Sequence, residues 1–184
     1  MLNKKILLVF FFAFLIRLIA LNQSLWLDEA VTAKVVMNYG FTEIVSKFSP
    51  TDFHPPLYYL FMKLWTNLFG YSEVALRFPS IIFSLLTGYF IYKIASLFHG
   101  SIVKLWPVVF FLFNPLIVYY SQEARMYMMA TFLLTISLYY LIKMLLNQKS
   151  KIRCIIFWNI HIFCVLDILW LSFFDCDDVA IFVI

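Results

Sequence analysis

Acidic side chains, a histidine and an arginine occur at three points of a strongly apolar chain. The first point is Asp28 with Glu29 in "LWLDEA", the second is Asp52 with "HPPLYY" from His54, and the third is "YYSQEARMY", Tyr119–Tyr127. A carboxylate can accept a proton from a hydroxyl, and a guanidinium can bind a phosphate through its forked donors. The nearby tyrosines and tryptophan could form walls for a sugar. Together, these residue types suit chemistry on a phosphate-linked lipid substrate.

The first two groups also have structural interpretations, which the residues alone leave open. Asp28 could be the N-cap of a helix, with Glu29 favourably placed in the positive first turn. Capping needs one carboxylate, so it does not account for the pair. His54 could be a polar residue where a helix begins beside the membrane, or it could contact a phosphate or a metal ion.

The third group could begin a helix, with Ser121 as its cap and Glu123 in its first turn. In that interpretation Arg125 extends to lipid phosphates. However, a cation in the positive first turn of a helix is unfavourable. A nearby anion explains Arg125 better, and three anions are open: Glu123, a lipid headgroup and a substrate phosphate.

The composition places these groups in a polytopic membrane protein. The chain has 184 residues, of which 64% are hydrophobic and 13% charged, whereas soluble domains have about 45–50% and about 25%. Five apolar segments approach the roughly 20 residues that a membrane span needs. They are Ile6–Leu21, Phe78–Phe98, Leu105–Tyr120, Met126–Leu146 and Cys154–Phe174. We therefore predict an all-α bundle of about five transmembrane helices.

The charged residues predict how this bundle is oriented. If the N-terminus is cytoplasmic, the inner face carries Lys4, Lys5, Lys93, Lys104, Lys143, Lys149, Lys151 and Arg153. The outer face then carries Asp28, Glu29, Glu43, Asp52, Glu73 and Glu123, in agreement with the positive-inside rule. We predict a multi-pass protein of the cell membrane whose active face is extracytoplasmic. The net charge of +4 follows from this orientation and indicates no nucleic-acid partner.

The long outer connection, 22–77, is where function is expected, because long loops among short ones usually carry it. We predict two short interfacial helices in it. The first runs from Glu29 to Tyr39 and is stopped by Gly40, and the second runs from Pro55 or Pro56 to Gly70. Between them, the turn-rich "SKFSPTDFHPP" places Asp52 and His54 beside the second helix.

The sequence changes character near residue 150, which separates a unit of residues 1–150 from residues 151–184. The fifth apolar segment places Asn159, His161 and Asp167 at membrane depth, where an unpaired carboxylate costs about 2.5–3.5 kcal/mol. Either Asp167 has a partner in a bundle, or the tail is frameshifted or truncated. The three cysteines, which show no metal-ligand spacing with a histidine, are Cys154, Cys164 and Cys176.

Four blocks of the sequence, in this order, resemble the integral-membrane glycosyltransferases of the GT-C class. They are "RLIALNQSLWLDEA", "HPPLYYLFMKLW", "ALRFPSIIFSLLTGYFIYKIA" and "NPLIVYYSQEARMYMM". The nearer branch is similar to the protein O-mannosyltransferases, of the dolichyl-phosphate-mannose-protein mannosyltransferase superfamily. It is also similar to the bacterial aminoarabinose and lipopolysaccharide-core sugar transferases.

The resemblance implies that a sugar passes from a polyprenyl-phosphate donor to a hydroxyl of a glycan, lipid or protein, with inversion at the anomeric carbon. It implies that Asp28 is the general base and that Glu29 orients the acceptor or helps bind a divalent metal ion. The candidate metal ligands are Asp28, Glu29 and His54. The residues expected at the donor phosphate or substrate site are His54, Glu123, Arg125 and Tyr127. Members of this class usually have more spans, so we expect an N-terminal fragment with little or no activity alone.

Two other classes of protein remain alternatives. A fragment of a transporter or lipid flippase would place ionisable residues near the midplane on broken helices. Here the acidic residues before the tail lie at the outer face. A non-catalytic membrane subunit, or an inactive truncated gene product, would need none of the three groups for chemistry.

Overall fold

The computed structural model describes residues 4–19, 21–51, 56–98 and 104–146. All regular elements in these ranges are helical, which confirms the all-α prediction. They are α1 (Lys4–Leu18), α2 (Leu27–Asn38), α3 (Phe41–Glu43), α4 (Pro56–Phe69), α5 (Glu73–Phe98), α6 (Leu105–Leu112), α7 (Pro115–Ser121) and α8 (Tyr127–Leu146). Helix α3 continues as a π-helical turn, Ile44–Phe48, and a 3-10 turn, Ser49–Thr51.

Helices α5 and α8 pack along each other and form the centre of the bundle. Both are long and apolar enough to cross a membrane. Helices α1, α6 and α7 pack against α5, and α1 has 15 residues, fewer than the roughly 20 of a typical span. The predicted fifth span lies outside the described residues, as do the three cysteines. The number of spans therefore stays a prediction.

The predicted third span is wrong as a single helix, because it divides into α6 and α7 at residues 113–114. Pro115 lacks the N–H that would continue the helical hydrogen bonds. The Asn114 side chain then caps α7 by accepting a hydrogen bond from the Leu116 N–H, at 2.9 Å. The break leaves the carbonyl of Leu112 without its usual helical donor.

A buried arginine of α1 supplies the donor at this break. Arg17 donates from Nη2 to the Leu112 carbonyl and from Nε to Ser84 Oγ of α5, both at 2.9 Å. Its Nη1 donates to the Ala13 carbonyl of its own helix. Arg17 thus joins α1 to α5 and to the α6–α7 break. The sequence analysis assigned it no role, although a cation inside an apolar segment is a signal of such a buried partner.

Both short helices predicted in the outer connection are present, with changed bounds. Helix α2 begins at Leu27, and it ends at Asn38 without a left-handed glycine, since Gly40 has φ −74° and precedes α3. Helix α4 begins at Pro56, as predicted, and is followed by Gly70, whose φ of +85° favours glycine. The part of the predicted turn segment before residue 52 is irregular helix instead.

Two long side chains fix α4 to its neighbours. Lys63 donates to the Val36 carbonyl in the last turn of α2, with 2.6 Å between Nζ and O. The Trp65 indole donates to the Ala75 carbonyl of α5 at 2.8 Å. That carbonyl is available because Pro79, four residues later inside α5, has no N–H. These bonds hold α2, α4 and α5 as one support for the outer end of the bundle.

Candidate functional site

The first and third predicted groups meet at one end of the bundle. Gln122 Nε2 donates to the carbonyl of Ile19, just after α1, at 2.7 Å. Ser80 Oγ of α5 donates to the Glu123 carbonyl at 2.6 Å. The turn between α7 and α8 is therefore fixed to the ends of α1 and α5. The second group, Asp52 and His54, lies outside the described residues, so its position stays a prediction.

Glu29 is the buried centre of this end, with 1% of its surface exposed. Arg77 donates to both of its carboxylate oxygens, from Nε at 2.9 Å and from Nη2 at 2.5 Å. The backbone N–H groups of Ala124 and Trp26 donate to it as well, at 2.8 and 3.3 Å. One carboxylate thus joins the start of α2, the start of α5 and the turn before α8.

The electrostatics of this pair favour the ionised form of Glu29. Burial alone would raise the pKa of the Glu29 carboxyl, but the hydrogen bonds from Arg77, Ala124 and Trp26 outweigh burial. The pKa therefore lies below its ordinary value of 4.5. Glu29 remains an anion near neutral pH, matched by the adjacent guanidinium.

Arg77 is a residue of this site that the sequence analysis missed. It is buried, and besides Glu29 it donates to the carbonyls of Leu21, Gln23 and Ser24 at 2.8, 2.7 and 3.2 Å. The segment that leads into α2 is therefore held against α5. One signal was present: an arginine at the outer end of a span departs from the positive-inside rule.

Asp28 is not the N-cap of α2, so the capping interpretation was wrong. The helix begins at Leu27 and Trp26 precedes it. Glu29, in the third helical position, accepts the backbone N–H of Trp26, the residue that precedes the helix. The Asp28 side chain is 51% exposed, and its Oδ2 lies 3.8 Å from Arg125 Nη2. Its carboxylate is consequently available beside a cation.

Arg125 is buried rather than extended to lipid phosphates. Its Nη1 donates to the Asp28 carbonyl at 3.3 Å. Helix α8 begins only at Tyr127, so Glu123 and Arg125 precede it instead of lying in its first turn. Ser121 is the last residue of α7 and does not cap α8. The exposed Tyr127 ring packs against Tyr120, with 4.8 Å between ring centroids.

Two hydroxyl groups are buried here without a hydrogen-bond partner in the described ranges: Thr32, one turn after Asp28, and Tyr58 of α4. Tyr58 packs in one buried cluster with Ala33 of α2 and with Ala124, the residue before Arg125. Burial raises the pKa of Tyr58 well above its ordinary value, so the group remains a neutral donor. An unsatisfied buried donor in a native fold calls for an explanation.

Glu29, one of the three candidate metal ligands, has no oxygen left for a metal ion in this fold. Both oxygens of Glu29 already accept hydrogen bonds, from four donor groups in total. No group of three histidine, cysteine, aspartate or glutamate side chains comes together in the part of the chain that the structure describes. The third candidate ligand, His54, lies outside that part. We therefore derive no chemical step through a metal ion.

A small polar pocket of about 240 Å³ opens beside the Glu29–Arg77 pair. It lies between the segment before α2, the start of α5 and the turn from α7 to α8. Its walls are formed by Gln23, Ser24, Trp26, Glu29, Arg77, Tyr119, Gln122 and Glu123. Asp28 and Arg125 do not line it, so the end of the bundle offers two separate polar positions.

The Glu29–Arg77 pair predicts a dependence of stability on pH. Because the folded pKa of Glu29 is depressed, its stabilising contribution is present above the unfolded value near 4.5 and is lost as the pH falls through the folded value. We expect the Tm of the native chain to exceed that of Glu29→Gln at neutral pH, and the gap to narrow below about pH 4.5. Thermal unfolding in detergent between about pH 7 and pH 3 measures this. A gap of constant size would contradict it.

Comparison with known proteins gives one family. A family model described as dolichyl-phosphate-mannose-protein mannosyltransferase matches residues 53–166. The matched region contains Arg77, Glu123 and Arg125, whereas Asp28 and Glu29 precede it. Neither the curated proteins nor the solved structures give a match.

Proposed function

Since the chain belongs to the dolichyl-phosphate-mannose-protein mannosyltransferase family, a family of membrane-integral glycosyltransferases, we propose that it moves a sugar from a polyprenyl-phosphate donor to an acceptor hydroxyl. Transfer occurs at the extracytoplasmic face with inversion at the anomeric carbon. The observation that supports this most is the 3.8 Å approach of Asp28 Oδ2 to Arg125 Nη2. A carboxylate with no capping role lies beside a buried guanidinium.

Asp28 is proposed as the general base. As the acceptor oxygen forms its bond to the anomeric carbon, its proton passes to the Asp28 carboxylate. The bond from that carbon to the phosphate oxygen breaks, and the electron pair leaves with the phosphate. A positioned base contributes about 10²–10⁴ in rate. A single displacement forms no covalent enzyme intermediate, so one carboxylate at the acceptor hydroxyl is sufficient.

Arg125 is proposed to bind the departing phosphate. Its guanidinium offers paired donors that match phosphate oxygens, and its burial limits competition from water. The Tyr58 hydroxyl, buried in the cluster that contains Ala124 and without a partner in the described ranges, suits a further donor to the same oxygens. These groups would stabilise the negative charge that develops on the leaving group.

Glu29 is proposed as a positioning residue rather than a ligand of substrate or metal. It follows Asp28 directly, and it accepts the N–H of Ala124, which directly precedes Arg125. The Arg77 guanidinium fixes the carboxylate in turn. Through these contacts Glu29 sets the distance between the proposed base and the proposed phosphate-binding group.

The transporter alternative has one feature in its favour, the buried Arg17 beside the broken α6–α7 helix. Each of the three guanidinium nitrogens of Arg17 already has an acceptor in the fold. Arg17 therefore has a structural role that accounts for its burial, and it does not need a transported ion or substrate.

Arg125→Gln is expected to lower kcat/KM for the lipid-linked donor by about 10²–10³, because the phosphate loses a charged donor. The measurement is transfer of labelled sugar from a polyprenyl-phosphate donor in membranes. It uses the full-length protein. Inversion is checked by comparing the anomeric configuration of donor and product.

Lys47→Gln is the control for the loss of a cation from the outer connection. Lys47 is exposed and pairs with Glu43 one turn away. We expect this variant to transfer sugar at the native rate. If Arg125→Gln also retains the native kcat/KM, the assignment of a phosphate to Arg125 is wrong.

A further inference from the structure

We propose that the end of the bundle opposite the candidate site binds the headgroup of an anionic phospholipid. The binding site lies at the seam between α5 and α8, where two lysine–tyrosine pairs come together. They are Tyr89 with Lys93 on α5 and Tyr139 with Lys143 on α8. The proposal concerns lipid binding alone and does not depend on the sugar transfer proposed above.

A phenylalanine between the two helices brings the pairs together. The Phe90 ring contacts the Tyr89 ring of its own helix, with 5.6 Å between centroids, and the Tyr139 ring of α8, with 5.4 Å. Lys93 Nζ lies 5.4 Å from the centre of the Tyr89 ring. Lys143 Nζ lies 5.3 Å from the centre of the Tyr139 ring. Two cations and two phenol groups, from different helices, therefore lie on adjacent aromatic rings.

Both lysine side chains extend backward along their helices. Each ammonium lies over the ring of the residue one turn earlier, in the direction that helical side chains favour. A lysine near the end of a span more often extends outward to water. Lys93 and Lys143 are instead half-buried. An anion at the same depth explains why two ammonium groups remain among aromatic rings.

The depth of the two lysines is that of lipid headgroups. Helix α5 has 26 residues and is about 39 Å long at about 1.5 Å per residue. That length lies between the roughly 30 Å of the hydrocarbon core and the roughly 40–45 Å of the whole bilayer. Lys93 precedes the end of α5, Phe98, by five residues, and Lys143 precedes the end of α8, Leu146, by three. Both therefore lie about 5–8 Å from a helix end, close to the thickness of one headgroup layer.

The distribution of charge favours a headgroup with a net negative charge. The acidic residues of the described ranges lie in the outer connection, 22–77, and at Glu123, which is the end of the candidate site. The opposite end of the described bundle therefore carries an excess of positive charge. In the predicted orientation this end faces the cytoplasmic leaflet, whose surface is negative. A headgroup that carries its own ammonium group gains less from this field.

The groups at the seam suit a phosphate that is attached to acyl chains. The Tyr139 hydroxyl accepts a hydrogen bond from Lys143 Nζ at 3.2 Å, and a hydroxyl that accepts can still donate its own hydrogen to a phosphate oxygen. A cation and a neighbouring donor thus form a charge-assisted site. Helices α5 and α8 are both apolar enough to cross a membrane, so acyl chains beside this site lie against apolar surface. A soluble anion lacks that contact.

Native mass spectrometry of the full-length protein in detergent micelles tests the proposal. Titration with phosphatidylglycerol, which is anionic, and with phosphatidylcholine, which is zwitterionic, gives a dissociation constant for each lipid. We expect tighter binding of phosphatidylglycerol by the native chain. Lys93→Gln and Lys143→Gln should each weaken it about fivefold, and the two together about 25-fold, the usual contribution of lysines near an anionic membrane surface. Lys93→Arg and Lys143→Arg keep the charge and should bind phosphatidylglycerol at the native affinity.

Lys104→Gln is the matched control, because it removes a lysine that contacts a tyrosine on a different side of the bundle. Lys104 Nζ lies 5.8 Å from the centre of the Tyr92 ring. That ring packs against a cluster between α1 and α6 whose buried members are Ala13, Val108 and Leu112. The control variant should bind phosphatidylglycerol with the native affinity.

Four results would contradict the proposal. Equal affinity of the native chain for the two lipids would remove the preference for an anionic headgroup, and this comparison needs no variant. Native affinity in the double glutamine variant would remove the two lysines from the site. An equal loss in Lys104→Gln would indicate attraction by overall charge without a site at the seam. Displacement of phosphatidylglycerol by inorganic phosphate or by a polyprenyl phosphate at equal concentration would assign the seam to another anion.

Discussion

Arg77→Ala is expected to lower the free energy of unfolding by about 3–5 kcal/mol, the usual cost of removing one partner from a buried ion pair. The substitution leaves the Glu29 carboxylate buried without its guanidinium. It also removes the donors to the carbonyls of Leu21, Gln23 and Ser24. Unfolding of the chain in mixed micelles, followed by tryptophan fluorescence during titration with a denaturing detergent, gives the free-energy difference.

A double-mutant cycle separates the pair from the general loss of packing. Arg77→Ala combined with Glu29→Ala should cost clearly less than the two single changes added together, because the second change removes the unpaired charge that the first creates. Lys47→Ala is the comparison at an exposed pair, where little change is expected. If Arg77→Ala costs no more than Lys47→Ala, the buried pair does not hold this end of the bundle.

Local sequence signals were enough to predict the helices whose ends or apolar runs are clearly marked. The start of α4 follows from Pro56, which suits a first helical turn, and its end follows from Gly70, whose positive φ the structure shows. The apolar runs of α5 and α8 likewise identify the two helices that are long enough for a membrane. At α4, where a proline and a glycine mark the two ends, the predicted and observed bounds agree.

A competing local signal explains the error in the third span. The apolar run from Leu105 favours one long helix, whereas Pro115 forbids the hydrogen bond that would continue it. In the structure the helix breaks before Pro115. The Asn114 side chain accepts the Leu116 N–H, and Arg17 donates to the Leu112 carbonyl. Pro115 is visible in the sequence. The sequence does not show that Arg17, 95 residues before Leu112, bonds the carbonyl at the break.

The candidate site shows the same limit for pairs that are distant along the chain. Types and spacing identified Asp28, Glu29 and Arg125, yet the partner of Glu29 lies 48 residues away at Arg77. Capping rules predict Asp28 as the N-cap, whereas α2 begins at Leu27, and Glu29 accepts hydrogen bonds from the Trp26 N–H and from Arg77. The local sequence pattern does not show that Arg77 lies beside Glu29.

Asp28→Asn is expected to reduce sugar transfer by about 10²–10⁴, the contribution of a positioned general base. The amide keeps the shape of the side chain but cannot accept the proton of the acceptor hydroxyl. Stability should change little, because the side chain is 51% exposed and does not cap α2. The measurement is transfer of labelled sugar by the full-length protein, beside the amount of folded protein in the membrane.

The Glu29→Gln variant separates a loss of catalysis from a loss of stability. If Glu29 acts by holding the fold, its amide variant should lose stability and activity together, whereas Asp28→Asn should lose activity at an unchanged membrane level. Glu43→Gln, an exposed acid of the same outer connection, should lose neither. Normal transfer by Asp28→Asn would show that Asp28 is not the general base. A transporter or a scaffold is the class of protein that would tolerate that change.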